Sequence, residues 1–216
     1  MTIEEVVRKI GEVGVVPVIR AKSPSTACLA AEAVSAGGIP IVEITMTVPD
    51  AIEVIQRVVK EFGKDVLTGA GTVITADQAR ACLDAGAQFL VSPGFSPGVL
   101  EVAASREVLA IPGVLTPTEV MLAQQANPAL LKVFPCGNLG GPLYVRALRG
   151  PFPKARMIPT GGITLANVKE YISAGAFAIG VGSELVNEAA LNQGRSPAVT
   201  ECARQFLEAV RQARAD

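Results

Sequence analysis

No histidine and no tryptophan occur among the 216 residues, and aromatic residues account for only 4% of them. Imidazole is the usual general base and the usual ligand of catalytic zinc, so chemistry in this chain must use carboxylate, lysine or hydroxyl groups, and no metal site is expected. Half of the residues are hydrophobic, and the scarcity of aromatic rings leaves Val, Ile, Leu and Ala to build the core. That composition is typical of a layered β/α fold.

An excess of charge of either sign is also missing, because the formal net charge is −1. Nucleic acids and anionic membranes select for basic proteins, so neither is expected as a partner, and a small molecule is favoured. No apolar run approaches the roughly 20 residues that a membrane-spanning helix needs.

The cysteines are scattered without a Cys-x-x-Cys spacing, which argues against a zinc knuckle and against a disulfide scaffold. The first eight residues predict an acidic amphipathic helix and not an export signal. We therefore expect reduced thiols and a cytoplasmic protein. The cysteines are Cys28, Cys82, Cys136 and Cys202.

After the first helix, short β-rich apolar runs alternate with longer helical stretches that begin at signals such as Ser23-Pro24 and Thr75-Ala76-Asp77. Eight such units predict an α/β fold, a closed (β/α)₈ TIM barrel with an extra N-terminal helix, in one domain over residues 1–216. An open doubly wound sheet is the alternative, disfavoured because no Gly-x-Gly-x-x-Gly follows the first strand. The predicted strands are residues 15–20, 39–46, 67–72, 89–93, 109–113, 130–134, 157–160 and 178–182.

Such barrels place their chemistry where the carboxyl ends of the strands meet. Polar side chains at those ends are therefore the candidates, and we expect them to form a ring around one opening. In chain order they are Arg20, Glu43, Thr45, Thr47, Thr72, Ser92, Lys132, Thr160 and Ser183.

Lys132 has only apolar neighbours in the segment Leu130-Leu131-Lys132-Val133-Phe134-Pro135. Strand alternation directs Leu131 and Val133 toward the helices and Lys132 toward the barrel interior. An unpaired ammonium is costly to bury, so we expect part of the amine to be neutral, and a neutral amine attacks ketones. The alternative is a buried structural salt bridge.

The same alternation places Glu43, Thr45 and Thr47 on the inner face of the second strand. A carboxylate in a partly dry barrel mouth beside a lysine is suited to carry protons. Glu43 could also simply neutralise Lys132, and the two roles are compatible.

Arg20 ends the first strand, and its planar fork matches a substrate carboxylate. Thr72 closes the third strand, where Gly69 and Gly71 would let the backbone approach a ligand or would serve close strand packing. Cys136 has no histidine to activate it, and we interpret it as a loop residue.

Two glycine loops follow the seventh and eighth strands, the positions where barrels often bind phosphate through backbone N–H groups. They predict a phosphorylated substrate, although glycine turns can also be plain connections. The predicted phosphate ligands are Thr160, Gly161, Gly162, Gly182 and Ser183.

Taken together, these segments resemble the bacterial 2-keto-3-deoxy-6-phosphogluconate (KDPG) and 4-hydroxy-2-oxoglutarate (KHG) aldolases over nearly the whole chain. The matching motifs are Val42-Glu43-Ile44-Thr45, Gly69-Ala70-Gly71-Thr72-Val73, Val91-Ser92-Pro93-Gly94, Ile111-Pro112-Gly113, Leu131-Lys132-Val133-Phe134-Pro135, Gly150-Pro151-Phe152, Pro159-Thr160-Gly161-Gly162-Ile163 and Gly180-Val181-Gly182-Ser183.

The resemblance implies a class I aldolase that cleaves a phosphorylated keto acid to pyruvate and glyceraldehyde 3-phosphate, without a metal or an organic cofactor. It implies that Lys132 forms the imine, Glu43 shuttles protons, and Thr72 and Pro93 line the pyruvate end. It also implies that the two glycine loops hold phosphate and that the protein is a homotrimer.

The sequence departs from the family pattern at one position, because many members have an arginine four residues after the glutamate and this chain has Thr47. A related branch, which includes the phosphogalactonate aldolases, has an arginine at the end of its first strand. Arg20 is therefore the predicted replacement, and the predicted contacts to the substrate carboxylate and the pyruvate end are Arg20, Thr47, Thr72 and Pro93.

Two other functions are compatible with the barrel prediction, since a fold does not fix its chemistry. One is a phosphate-binding isomerase or epimerase, and the other is a non-catalytic oligomeric scaffold. The preferred stereoisomer of the keto acid, and the need for its phosphate, are not determined by the sequence.

Overall fold

The computed structural model describes residues 1–215. The predicted N-terminal helix is α1 (Ile3–Val13), which begins with a capping box. The Thr2 hydroxyl accepts from the backbone N–H of Glu5, and the Glu5 carboxylate accepts from the backbone N–H of Thr2. None of the helices within the described residues is both long and apolar enough to cross a bilayer.

Strands and helices alternate through the rest of the described chain. The strands are β1 (Val15–Ile19), β2 (Ile41–Thr45), β3 (Leu67–Gly71), β4 (Phe89–Val91), β5 (Leu109–Ile111), β6 (Gly113–Val114), β7 (Leu131–Val133), β8 (Met157–Pro159) and β9 (Ile179–Val181). The helices after α1 are α2 (Pro24–Ala36), α3 (Ala51–Phe62), α4 (Ala76–Asp84), α5 (Pro97–Ser105), α6 (Pro117–Gln124), α7 (Gly141–Arg149), α8 (Val168–Ser173), α9 (Glu188–Asn192) and α10 (Ser196–Ala215).

All of the strand pairs are parallel, which confirms the predicted class of fold. Six strands form one sheet in the order β5-β4-β3-β2-β1-β9, and three form a second in the order β6-β7-β8. The result is an α/β fold with a curled parallel sheet, and the carboxyl ends of its strands face the same way.

The fifth predicted strand differs from the expectation, because Pro112 divides it into β5 and β6. Proline has no N–H for a sheet ladder, so continuous pairing stops there. β5 pairs with β4 on one side, whereas β6 pairs with β7 on the other. The Pro112 carbonyl accepts from the backbone N–H of Lys132 at 2.9 Å, which extends the ladder between β6 and β7 by one bond.

The helix starts predicted at Ser23 and Thr75 are confirmed, because each side chain accepts a backbone N–H as an N-cap. Thr116 caps α6 in the same way. Asp50 and Ser96 precede α3 and α5 without a side-chain cap, and the Asp50 backbone is left-handed.

Inside the curled sheet, side chains from one strand fill the space left by glycines on the next. A Cβ atom built at Gly69 would lie 2.2 Å from the ring of Phe89 on the adjacent strand, and Phe89 is fully buried. Close strand packing, one of the two roles considered for this glycine, is therefore the role that the structure supports.

Candidate active site

Lys132 lies at the centre of the short strand β7, and its side chain points into the interior of the curled sheet. Leu131 and Val133 on either side are buried among the aliphatic core. The Lys132 Nζ atom lies 3.6 Å from Oε1 of Glu43 on β2, and the two side chains are only 5% and 3% exposed. The sequence-based prediction that these groups meet in the interior is confirmed.

The separation of this pair has a chemical consequence. At 3.6 Å the opposite charges attract strongly, but the distance exceeds that of a direct hydrogen bond. Glu43 Oε1 has no hydrogen-bond partner among the described residues. The ammonium also lies 5.5 Å from the centroid of the Phe134 ring. Both groups thus keep hydrogen-bonding capacity for a reacting molecule.

Gly71 provides the space that the Glu43 carboxylate occupies. A Cβ atom at position 71 would lie 2.0 Å from Glu43 Oε1 and 2.6 Å from the carboxyl carbon. Gly71 on β3 pairs with Thr45 of β2, two residues beyond Glu43 on the same face, so any side chain at position 71 would displace the carboxylate from its place beside Lys132. The second glycine of Gly69-Ala70-Gly71 therefore serves the site itself.

The pair borders a small cavity whose other walls are mostly aliphatic. Such surroundings exclude water and strengthen electrostatic interactions with a reacting group. The lining residues are Val16, Glu43, Val91, Ile111, Lys132, Ile158, Thr160 and Gly180.

Thr160 was expected among the phosphate ligands, but the structure places it deeper, in the cavity with Lys132. It is only 4% exposed. Its backbone N–H donates to the Val133 carbonyl, and its own carbonyl accepts from the N–H of Cys136. Its hydroxyl packs where Gly180 has no side chain, since a Cβ there would lie 2.2 Å from the oxygen. Thr160, the residue after β8, also forms a parallel bridge to Gly180. This buried position argues against a contact between Thr160 and a phosphate.

Arg20 and Thr47 lie at the mouth, beyond the ends of β1 and β2, and both are exposed. The expectation that Thr47 continues the inner face of the strand is wrong. β2 ends at Thr45, whose hydroxyl donates to the Ile19 carbonyl at 2.9 Å, and the chain then turns. Thr47 therefore lies in the turn beyond the strand, where it is exposed.

Thr72 and Pro93 follow β3 and β4 and are partly buried. Thr72 has φ 56°, which is a strained backbone conformation for a β-branched residue. Strain of this kind concentrates at functional sites. Ser92 is buried instead, and its hydroxyl donates to the Gly94 carbonyl, so it does not face the mouth.

The two glycine loops follow the carboxyl ends of β8 and β9. Gly161 and Gly162 have φ values of 92° and 76°, which glycine adopts without strain. Their carbonyls accept from the Gly137 N–H and from the Asn167 side chain. Gly162 and Ser183 are exposed, whereas Gly161 and Gly182 are partly buried. The loops can therefore present several donors to an anion.

Cys136 follows the lysine strand but is fully buried, and its thiol donates to the Gly141 carbonyl. Burial raises the pKa of this thiol to about 11. The thiolate is the reactive form of cysteine, so the geometry supports the interpretation of Cys136 as a loop residue.

Sequence reasoning did not foresee that Gly71 makes room for the Glu43 carboxylate, and it gave no role in the site to Phe134 or Gly180. A usable signal was present for Gly71, because Gly69 and Gly71 share one face of a strand. Two glycines on the inner face indicate that larger side chains enter from neighbouring strands.

Replacing Gly71 with alanine should reduce the predicted aldol cleavage by about 10²-fold in kcat/KM, because displacing a reacting group by about 1 Å has that effect. Steady-state kinetics of the Gly71→Ala variant measure this loss. Gly98→Ala is the matched control, since its Cβ would meet Ala76 only at 3.5 Å, and its rate should stay within about twofold of the unmodified chain. A correctly folded Gly71→Ala variant with full activity would show that the carboxylate position is unimportant.

Comparisons with known proteins agree with this geometry. The sequence profile described as "Aldolase: KDPG and KHG aldolase" matches residues 3–202. The 2-dehydro-3-deoxy-phosphogluconate aldolase of Treponema pallidum (strain Nichols) is 37% identical over 198 residues, which cover 92% of this chain and 94% of that protein.

Two solved structures extend the comparison. The KDPG aldolase of Legionella pneumophila, captured with pyruvate as a covalent carbinolamine at low pH, has a TM-score of 0.85 at 35% identity and covers 92% of this chain and 96% of its own. The Zymomonas mobilis ZM4 enzyme, solved with 3-phosphoglycerate, has a TM-score of 0.81 at 28% identity and covers 94% and 97%. The chain belongs to the KDPG and KHG aldolase family of lyases.

Proposed function

We propose that this protein is a class I aldolase that cleaves 2-keto-3-deoxy-6-phosphogluconate, or a close analogue, to pyruvate and glyceraldehyde 3-phosphate. The observation that carries the proposal is the buried pair of Lys132 Nζ and Glu43 Oε1, 3.6 Å apart beside an apolar cavity. The carbinolamine captured in the Legionella pneumophila aldolase is the adduct that an attacking amine forms with pyruvate.

The first half of the reaction joins the substrate to the chain. The Lys132 amine attacks the C2 carbonyl and forms a carbinolamine. Glu43 in its acid form then protonates the C2 hydroxyl, which leaves as water, and a positively charged imine remains. The aliphatic walls of the cavity limit competing attack by bulk water.

The second half breaks the carbon chain. The Glu43 carboxylate takes the proton of the C4 hydroxyl while the C3–C4 bond breaks and the imine accepts the electron pair. Glyceraldehyde 3-phosphate leaves, and an enamine remains. Glu43 returns the proton to C3, and water hydrolyses the new imine to pyruvate and the free amine. These steps require no metal and no organic cofactor.

We assign the remaining contacts by position. Thr72 and Pro93, partly buried at the ends of adjacent strands, flank the pyruvate end. Arg20, exposed at the mouth, is the cation for the substrate carboxylate. Gly161, Gly162, Gly182 and Ser183 bind the phosphate through backbone N–H groups, and Thr160 is left out of this set because it is buried in the cavity.

We also infer that the curled sheet closes into an eight-stranded (β/α)₈ barrel within one domain. Two features support closure, because Pro112 alone separates β5 in one sheet from β6 in the other and a parallel bridge joins Thr160 to Gly180. On this view β5 and β6 are one strand with a proline interruption.

A homotrimer remains a prediction, and a measurement of the protein's mass in solution tests it. Large apolar side chains exposed on α6, on α7 and on the turn between β7 and α7 would suit a contact between subunits, namely Met121, Leu122, Leu139 and Leu143. A cytoplasmic location is likewise a prediction. It is supported by the four free thiols and by the packing of α1 against the core.

Borohydride reduction in the presence of pyruvate should attach a stable adduct to Lys132, because it reduces the imine to a secondary amine. Peptide mass spectrometry locates the adduct. Lys132→Met should form none and should lose cleavage activity by on the order of 10³-fold or more.

Two controls accompany this experiment. Lys154→Met, at an exposed lysine, should be labelled at Lys132 like the unmodified chain. The double variant Glu43→Gln with Lys132→Met avoids an unpaired buried carboxylate if the single variant folds poorly. An unmodified Lys132 after reduction would instead favour an isomerase or epimerase.

A substrate panel tests the phosphate loops. With coupled detection of pyruvate, the gluconate-derived and galactonate-derived phosphorylated acids should have KM values at least about tenfold below that of unphosphorylated 4-hydroxy-2-oxoglutarate, the scale of losing charge-assisted hydrogen bonds. Equal KM values for all three acids would remove the phosphate assignment and leave the lysine chemistry untouched.

A further inference from the structure

The hydroxyl groups of Thr45 and Thr47 form a short chain that ends on a backbone carbonyl. The Thr45 Oγ1 atom lies 2.9 Å from the Ile19 carbonyl oxygen and 2.7 Å from Thr47 Oγ1. Thr45 is fully buried, whereas Thr47 is exposed at the mouth. The chain thus runs from the interior to the place where a substrate would enter.

The direction of both hydrogen bonds follows from counting protons. A carbonyl oxygen has no proton to donate, so the Thr45 hydroxyl must donate to Ile19. A hydroxyl has only one proton, so Thr45 can act only as an acceptor toward Thr47. The Thr47 hydroxyl therefore donates to Thr45. If Thr45 donated to Thr47 instead, lone pairs of the Thr45 hydroxyl and of the Ile19 carbonyl would face each other at 2.9 Å.

This direction limits what Thr47 can bind. Its single proton is already donated, so its oxygen offers only lone pairs to the mouth. A carboxylate also offers only lone pairs, and the two would repel each other. Thr47 thus cannot take the carboxylate contact that was predicted for it, and it needs a hydrogen-bond donor as its partner.

Arg20 is the donor that the fold places nearby. It follows Ile19, the residue whose carbonyl anchors the chain, and Ile19 pairs with Ile44 in the sheet. Arg20, the residue after β1, is therefore level with Thr45 in the sheet. Among residues 1–215, no side chain or backbone group forms a hydrogen bond or an ion pair with Arg20. A guanidinium has five N–H donors and can bind a hydroxyl and a carboxylate together.

We propose that Thr47 is a positioning residue: when a substrate carboxylate draws the Arg20 guanidinium over the mouth, the Thr47 oxygen accepts a hydrogen bond from it and orients it toward that carboxylate. The inference rests on the proposed function, in which Arg20 binds that carboxylate. It assigns Thr47 an action through Arg20 and no contact with the substrate.

A double-mutant cycle with the keto acid substrate tests this assignment. Thr47→Val should raise KM about tenfold, the scale of losing one hydrogen bond to a charged group, and should leave kcat within about twofold. Thr47→Ser keeps the hydroxyl and should restore KM to within about twofold of the unmodified chain. In an Arg20→Gln background, Thr47→Val should change KM by less than about twofold, because the partner is already gone.

Thr118→Val is the matched control, since Thr118 is another exposed threonine, on α6, whose strand β6 lies in the other sheet from β1 and β2. Its KM should not change. An equal rise in KM for Thr47→Val with and without Arg20 would overturn the proposal, because Thr47 would then touch the substrate directly. No rise in KM for Thr47→Val in the otherwise unmodified chain, where Arg20 is present, would overturn it as well.

Borohydride trapping separates this inference from the proposed function. Saturating pyruvate should still label Lys132 in Thr47→Val, because the imine does not depend on Thr47. If Lys132 is labelled but the effects of Thr47→Val and Arg20→Gln on KM are independent of each other, only the role of Thr47 is contradicted. Failure to label the unmodified chain would contradict the aldolase itself.

Discussion

The attraction between Lys132 and Glu43 inside an aliphatic cavity is the interaction on which the rest of the site depends. Moving either charge out of water costs several kcal/mol, and a lone buried charge would be destabilising. The two groups compensate each other at 3.6 Å without a direct hydrogen bond. The fold therefore tolerates a reactive amine and a proton carrier in its interior, and the same low dielectric that makes them costly strengthens their action on a bound keto acid.

The surrounding architecture maintains this arrangement by leaving space where side chains would interfere. Gly71 admits the carboxylate, Gly180 admits the Thr160 hydroxyl, and both glycines lie on strands adjacent to the residue they accommodate. The polar groups are consequently arranged by depth. Lys132, Glu43 and Thr160 lie in the interior, whereas Arg20, Thr47 and the glycine loops surround the mouth. A substrate with a ketone between a carboxylate and a distant phosphate fits this order.

Strand alternation was enough to predict which residues face the interior near the middle of a strand, because the period of two is fixed by the backbone. Lys132 and Glu43 were placed correctly for that reason. The same rule failed at strand ends, where the chain turns after Thr45 and exposes Thr47. Strand alternation also did not predict how deeply Thr160 is buried, because its position depends on a bridge to another strand. The interruption at Pro112 could have been predicted, because proline has no N–H for a sheet ladder. The change of pairing partner from β4 to β7 depends on tertiary structure and could not be predicted from the sequence.

The most direct test of the paired roles of Lys132 and Glu43 is deuterium exchange into the methyl group of pyruvate, followed by proton NMR in D₂O. The imine acidifies the methyl hydrogens, and the carboxylate removes them, so the unmodified chain should exchange pyruvate without any aldehyde. Glu43→Gln should still form the borohydride-reducible imine but exchange at least about 10²-fold more slowly. Exchange at the full rate in Glu43→Gln, or in Lys132→Met, would contradict the account.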